Sequence, residues 1–203
     1  MWLVSGLYCD AVPLQSRSMP TPIGHALGGI TAGYVVATFV TAKSAARAVR
    51  VVPAGLVNPV CGLGTLACVG MLADVDLLFG LHRGLTHSLA AALFVGLLYA
   101  CTRYQQRVLA GLTVSAAYGS HVLFDWIGVD SGPPLGVEMF WPLSEQYYQA
   151  EFLLFFRICR DYADPDCWSH NAMALGWELI ILVPLTGAVV WMHRVYVQRR
   201  STG

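Results

Sequence analysis

"CGLGTLACVGMLADVDLLFGLHRGLTHSLAAALFVGLLYAC", residues 61–101, is the stretch on which the fold turns. Two apolar runs flank a short segment holding Asp74, Asp76, His82, Arg83 and His87. A chain this poor in charge concentrates its ionisable groups at one point only for a reason. The flanking runs explain the setting, because a helix needs about 20 mainly apolar residues to cross a bilayer. The charged segment then falls where one span ends and the next begins.

Composition agrees. Of 203 residues, 56% are hydrophobic and 12% charged, and the mean hydropathy is +0.58. Soluble domains carry about 25% charged residues. The formal net charge is zero, so no basic surplus points to nucleic acid, and no nucleic-acid partner is expected. Five runs read as spans, at about 23–41, 54–73, 85–101, 108–128 and 176–193. The expected fold is all-α, a polytopic membrane bundle of about five transmembrane helices in a single domain over 19–203. Gly28, Gly29, Gly33, Gly62, Gly64, Gly70 and Gly119 recur in these runs, as do alanines. Small residues let helices approach closely in lipid.

The basic residues give an orientation. Lys43, Arg47, Arg50, Arg103, Arg107, Arg194, Arg199 and Arg200 are eight of the twelve Lys and Arg, all in the loops after the first and third spans or in the tail. Cytoplasmic loops are enriched in Lys and Arg. The N-terminus is therefore expected outside and the C-terminus inside. Residues 1–18 are too short and too broken by Asp10 and Pro13 to span, and they lack the pattern of a secretory signal. They read as a disordered tail or an extension upstream of Met19.

This threading brings seven ionisable residues to one outer depth: His25, Asp74, Asp76, His82, His87, His121 and Asp125. Ionisable groups at membrane depth are costly and point to function. His121 and Asp125 stand four residues apart and so share a helix face. Two carboxylates at a helix C-terminus meet the negative end of its dipole, which calls for a compensating cation. Arg83 is one choice; a divalent metal, held by imidazole and carboxylate, is the better one. The absence of Cys disfavours a closed structural zinc site and leaves room for a catalytic ion with a water ligand. His170 and His193 lack such company.

The motifs "PTPIGHALGG" (20–29), "LADVDLLFGLHRGLTHS" (72–88), "SHVLFDW" (120–126) and "FWPLS" (140–144) resemble, in this order, the LexA-regulated inner-membrane family of metal-dependent hydrolases, a distant relative of zinc-dependent phospholipase C and related nucleases. The resemblance covers about residues 19–145, with Ala73 where the family often has Pro. It implies an inner-membrane, multi-pass protein with a metal centre, most naturally Zn, built from His25, Asp74, Asp76, His82, His87, His121 and Asp125.

A bound divalent ion brings the pKa of water toward about 7 and polarises a phosphoryl or carbonyl oxygen. Asp76 or Asp125 would take the proton. Arg83 either holds an anionic oxygen with its planar fork or neutralises the Asp pair. Thr86 and Ser88 orient ligands or cap the third span. The aromatic-rich "YYQAEFLLFFRICR", 147–160, fits a segment at the outer lipid surface, either a lid for a lipid or a cover for the bundle. Cys159 and Cys167 share that outer loop, where a disulfide is possible. Two functions follow. One is hydrolysis of a phosphoester or other ester of a lipid or envelope component at the outer face, and the other is a non-catalytic ion site or pathway. Inner halves such as "YVVATFV" and "LFVGLLYA" are almost wholly apolar, which favours a one-sided site.

Overall fold

A computed structural model describes residues 20–45, 59–79, 84–102, 107–130, 134–159 and 161–201. The N-terminal extension and His82, Arg83, Arg47, Arg50 and Arg103 lie outside the described residues. Among the described residues five α-helices follow in order: α1 (Pro22–Ala45), α2 (Pro59–Gly70), α3 (Leu89–Cys101), α4 (Arg107–Trp126) and α5 (Pro165–Ser201). Two 3-10 segments, Leu72–Phe79 and Leu85–His87, stand between α2 and α3. Among the described residues there is no strand, only two isolated bridges, so the all-α expectation holds.

Local chemistry starts the helices. Thr21 precedes α1 and accepts the Gly24 N–H at 3.0 Å, while Pro22 takes the first helical position, where a missing N–H costs nothing. Ser88 caps α3 by accepting the Ala91 N–H at 3.1 Å.

Among the described residues two helices, over Pro22–Val40 and Pro165–Arg199, are long and apolar enough to cross a membrane. By contrast, α2 and α3 have 12 and 13 residues. At 1.5 Å per residue that is about 18–20 Å, short of a hydrocarbon core of about 30 Å. The run expected at 54–73 breaks because the chain tightens from α to 3-10 after Gly70, so the Asp pair sits on a turn rather than at the end of a long rod. At the other extreme α5 runs 37 residues, well beyond the expected 176–193.

The central helix is α4. It packs against α1, α2 and α3 and buries Ala110, Val114, Ala117, Tyr118, His121 and Asp125. Its buried polar side chains, Ser120, His121 and Asp125, face protein, while Val108, Leu112 and Leu123 are exposed. The approach of α1 and α2 is a glycine contact: a Cβ on Gly29 would meet the Leu66 carbonyl oxygen at 2.5 Å, and one on Gly70 the His25 carbonyl oxygen at 2.4 Å. The last helix lies along α1 through a single buried stripe, Ala174, Glu178, Leu182, Thr186, Val189 and His193, spaced at three and four residues. Three polar contacts punctuate it: Glu178 with Thr21, Thr186 with Thr31 at 2.7 Å, and His193 Nδ1 with Thr38 at 2.8 Å. Both residue numbers rise together, so α1 and α5 run parallel.

The segment expected at the lipid surface is extended, not helical. Its backbone is satisfied by the end of α4: Ala150 N–H donates to Trp126 and Leu154 N–H to Ile127, both at or near 2.9 Å, and Val129 N–H donates to Phe155. Phe155 is buried against Phe124, whereas Phe152, Leu153 and Phe156 remain exposed. A Cys159–Cys167 disulfide, with Cα atoms 5.3 Å apart, ties the end of this segment to the first turn of α5. Asn171 reinforces the tie, accepting the Cys159 N–H at 2.7 Å and donating to its carbonyl at 2.9 Å.

Candidate metal centre

Four elements converge on one small volume. The first turns of α1 present His25, the 3-10 segments present Asp74 and His87, and α4 presents His121 and Asp125. His25 Nε2 lies 3.3 Å from Asp125 Oδ1, and His87 Nε2 and His121 Nε2 each lie 3.3 Å from Asp125 Oδ2. Asp74 Oδ1 stands 3.5 Å from His121 Nε2 and 3.8 Å from His87 Nε2. Two triads of potential ligands, His25–His121–Asp125 and Asp74–His87–His121, thus overlap at His121. The three imidazoles are fully buried; the Asp74 side chain, 20% exposed, is the one that reaches the surface.

Among the described residues, His25 Nε2, His121 Nε2, Asp74 Oδ1 and both Asp125 oxygens are buried with no hydrogen-bond partner. Buried polar atoms are nearly always satisfied. Here they face one another instead, with the His25 and His121 rings stacked at 3.7 Å and the His87 ring edge-on to His121 at 5.0 Å. Such a set of inward lone pairs fits a divalent cation: three nitrogens and two carboxylates, all hard or borderline donors.

The outer ring nitrogens are held. His121 Nδ1 donates to the Gly70 carbonyl at 2.8 Å, which fixes the tautomer that leaves Nε2 as an acceptor. His87 Nδ1 meets Asp76 Oδ2 at 3.2 Å and Thr86 Oγ1 at 3.0 Å. Thr86 also donates to Asp76, and the Tyr118 hydroxyl donates to the Thr86 carbonyl at 2.8 Å. Asp76 therefore stands behind His87, on the ring edge away from the cluster, and not among the groups facing the centre. The 3-10 geometry is the reason, since a step of two residues at three per turn points Asp74 and Asp76 apart. In a metal site, a carboxylate so placed orients the histidine that ligates the ion.

Electrostatics follows the same contacts. Burial pushes the Asp74 carboxyl up, but the His121 and His87 imidazoles against it outweigh that and hold it well below the usual carboxylate range.

Of the residues expected at the site, the structure brings together His25, Asp74, His87, His121 and Asp125, and sets Asp76 one contact back. His82 and Arg83 lie outside the described residues. Ser88 caps α3, and Thr86 serves Asp76. His170 bonds the Arg157 carbonyl at 2.8 Å, and His193 pairs with Thr38 far down α1, so neither joins the cluster. Sequence reading missed Glu178, which is fully buried beside the start of α1. Its signal was its place in the α5 stripe, at helical spacing from Ala174 and Leu182.

The fold and this cluster define an all-helical protein with a buried His/Asp centre and, among the described residues, two helices long and apolar enough to cross a membrane. The chain belongs to the YdjM inner membrane protein family, which matches residues 19–196 and so takes in α5 as well as the motifs that precede it. No curated protein and no solved structure matched the chain.

Proposed function

We propose that this protein is a membrane-bound, metal-dependent hydrolase, with His25, Asp74, His87, His121 and Asp125 holding a divalent cation. Zinc suits the donor set. The observation that carries the reading is the convergence of His25, Asp74, His121 and Asp125, whose inward atoms are buried without a hydrogen-bond partner among the described residues, with the His87 ring beside them. When bound, the cation supplies Lewis acidity toward water and toward an ester or phosphoryl oxygen. The chain supplies the rest. Asp125 has both oxygens turned into the cluster and Asp76 is engaged with His87 and Thr86, so the partly exposed Asp74 marks the side from which water and substrate would reach the cluster. Closure of the imidazoles by α1 and α4 keeps bulk solvent from the other side.

The substrate we propose is a phosphoester or other ester of a lipid or envelope component. Asp74 shares its 3-10 segment with exposed Leu72, Val75 and Leu78, so the open side of the cluster is bordered by apolar surface suited to acyl chains.

We place the site on the outer face, with the N-terminus outside and the C-terminus in the cytoplasm. Parallel α1 and α5 put the Cys159–Cys167 disulfide at the same end as His25, and disulfides persist in oxidising compartments. Arg194 and Arg199 fall at the opposite end, as the positive-inside rule asks. Two parallel crossings need an odd number between them, which the runs containing α2, α3 and α4 supply; this is the five-pass reading.

Metal analysis of the detergent-purified protein beside His121→Ala and Asp125→Ala, followed by a screen of phosphodiester, phosphomonoester and carboxylester substrates, tests the proposal. Stoichiometric metal and turnover in the wild type, both lost in the variants, are expected. Equal background turnover in all three would end the hydrolase reading. A second reading, an ion path, draws on the Thr31–Thr186 and Thr38–His193 contacts, which make the α1–α5 seam more polar than the sequence of α1 suggests. Metal-dependent flux into proteoliposomes would favour it.

A further inference from the structure

One buried acid plays no part in the chemistry above. Glu178, on the inward stripe of α5, is fully buried and far in sequence from the motifs. Its Oε1 accepts the Thr21 N–H at 2.8 Å and its Oε2 accepts the Thr21 hydroxyl. That hydroxyl in turn accepts the Gly24 N–H at 3.0 Å. The carboxylate therefore sits on the N-terminus of α1, where exposed N–H groups and the helix dipole favour an anion. The fit is close: a Cβ on Gly24 would run into the Glu178 carboxylate, so a side chain at this position has to displace the acid. The next residue along is His25, whose N–H donates to the Thr21 carbonyl at 3.0 Å and whose Nε2 faces Asp125.

We infer that Glu178 is a positioning residue for the metal centre, clamping the first turn of α1 to α5 and so fixing the depth and rotation at which His25 meets Asp125. The inference rests on the metal reading above and deepens it. The clamp acts on the one ligand that α1 contributes. His121 and Asp125 share a helix and His121 is anchored to Gly70, and His87 is anchored by Asp76 and Thr86, each independently of α5. His25 has no such anchor on its own ring: its Nδ1 is buried without a partner among the described residues. Its placement depends on the helix that carries it, and that helix is held at its start by Glu178.

The test uses the full-length protein in detergent with Co(II) as the probe. Affinity is measured by competition with a chelator, coordination by the visible d–d spectrum, and folding by circular dichroism and thermal unfolding of the metal-free protein. The variants are E178A, E178Q, G24A and H25A. We expect E178A and G24A, which break the same contact from opposite sides, to weaken Co(II) binding about 10- to 100-fold, the usual effect of losing a group that orients a ligand. Their spectra should move toward that of H25A. E178Q keeps an acceptor for the Thr21 N–H and should fall between them and the wild type. Variants that unfold at lower temperature yet bind Co(II) with wild-type affinity and spectrum would overturn the inference, leaving Glu178 a purely structural tie. Should E178A fail to fold, E178Q and G24A decide by the same criterion. Folded wild type that takes up no Co(II) would instead sink the metal reading itself, a result distinct from uptake that is lost in H25A and untouched in the Glu178 variants.

Discussion

His87 sits between two carboxylates that do different things: Asp74 meets the nitrogen facing the cluster, and Asp76 the nitrogen facing away. Replacing Asp76 by Asn keeps the shape and removes the charge that orients the ring. We expect Asp76→Asn to weaken cation affinity about 10- to 100-fold, measured by chelator competition, with helical content unchanged. A cation must displace any proton from the imidazoles of the cluster, so affinity should fall as pH drops through the ordinary imidazole range, about 6.5. Chelator competition taken across pH 5 to 9 checks this, and a flat profile would contradict the assignment. At this scale the sequence was informative about residue types and poor about their neighbours. Histidines and aspartates near span ends were visible, but whether Asp76 faced the centre or backed His87 depended on a 3-10 turn that hydropathy does not encode.

The elements reach the site through glycine. The Gly29–Gly70 approach lets α1 and α2 touch backbone to backbone, and the carbonyl of Gly70 is also the anchor of His121. A side chain at either position must push the helices apart. Gly70→Val should destabilise the fold by about 1–3 kcal/mol, as overpacking of a close contact does, and should lower metal affinity as well because His121 loses its partner. Denaturation in mixed micelles and metal titration check the two parts separately. Apolar runs located α1, α3 and α4 in the sequence within a few residues, because continuous burial in lipid or protein leaves a composition signal. They overextended α2, where the backbone tightens instead of ending at a polar residue, and they truncated α5, whose first turns stand beyond the apolar stretch and are held by the disulfide and Asn171. The extended segment after α4 was read as a surface element from its aromatic content; its pairing with the last carbonyls of α4 is a tertiary feature with no local period to reveal it.

For the whole molecule, the parallel course of α1 and α5 links the position of the cluster to the side of the membrane on which the disulfide forms. The orientation can be read with a membrane-impermeant maleimide on intact cells. Cys159 and Cys167 should label from outside only after reduction, and Cys101, exposed at the far end of α3, should stay unlabelled until the membrane is opened. Labelling of Cys101 from outside would invert the topology and move the site to the cytoplasmic face. Sequence charge alone suggested the same orientation, since Arg and Lys cluster at span ends regardless of how helices pair; the polar seam that makes the pairing parallel was not visible, as Thr and His on α1 and α5 acquire meaning only once the two are side by side.

The clamp between Thr21 and Glu178 joins residues separated by 157 positions. During synthesis every residue of the His/Asp cluster emerges before the acid that steadies α1 does. On the proposed metal reading, the contact that steadies His25 is made only once the final helix has been synthesised, which would make cation capture a late event in biogenesis, timed by the last segment to be made.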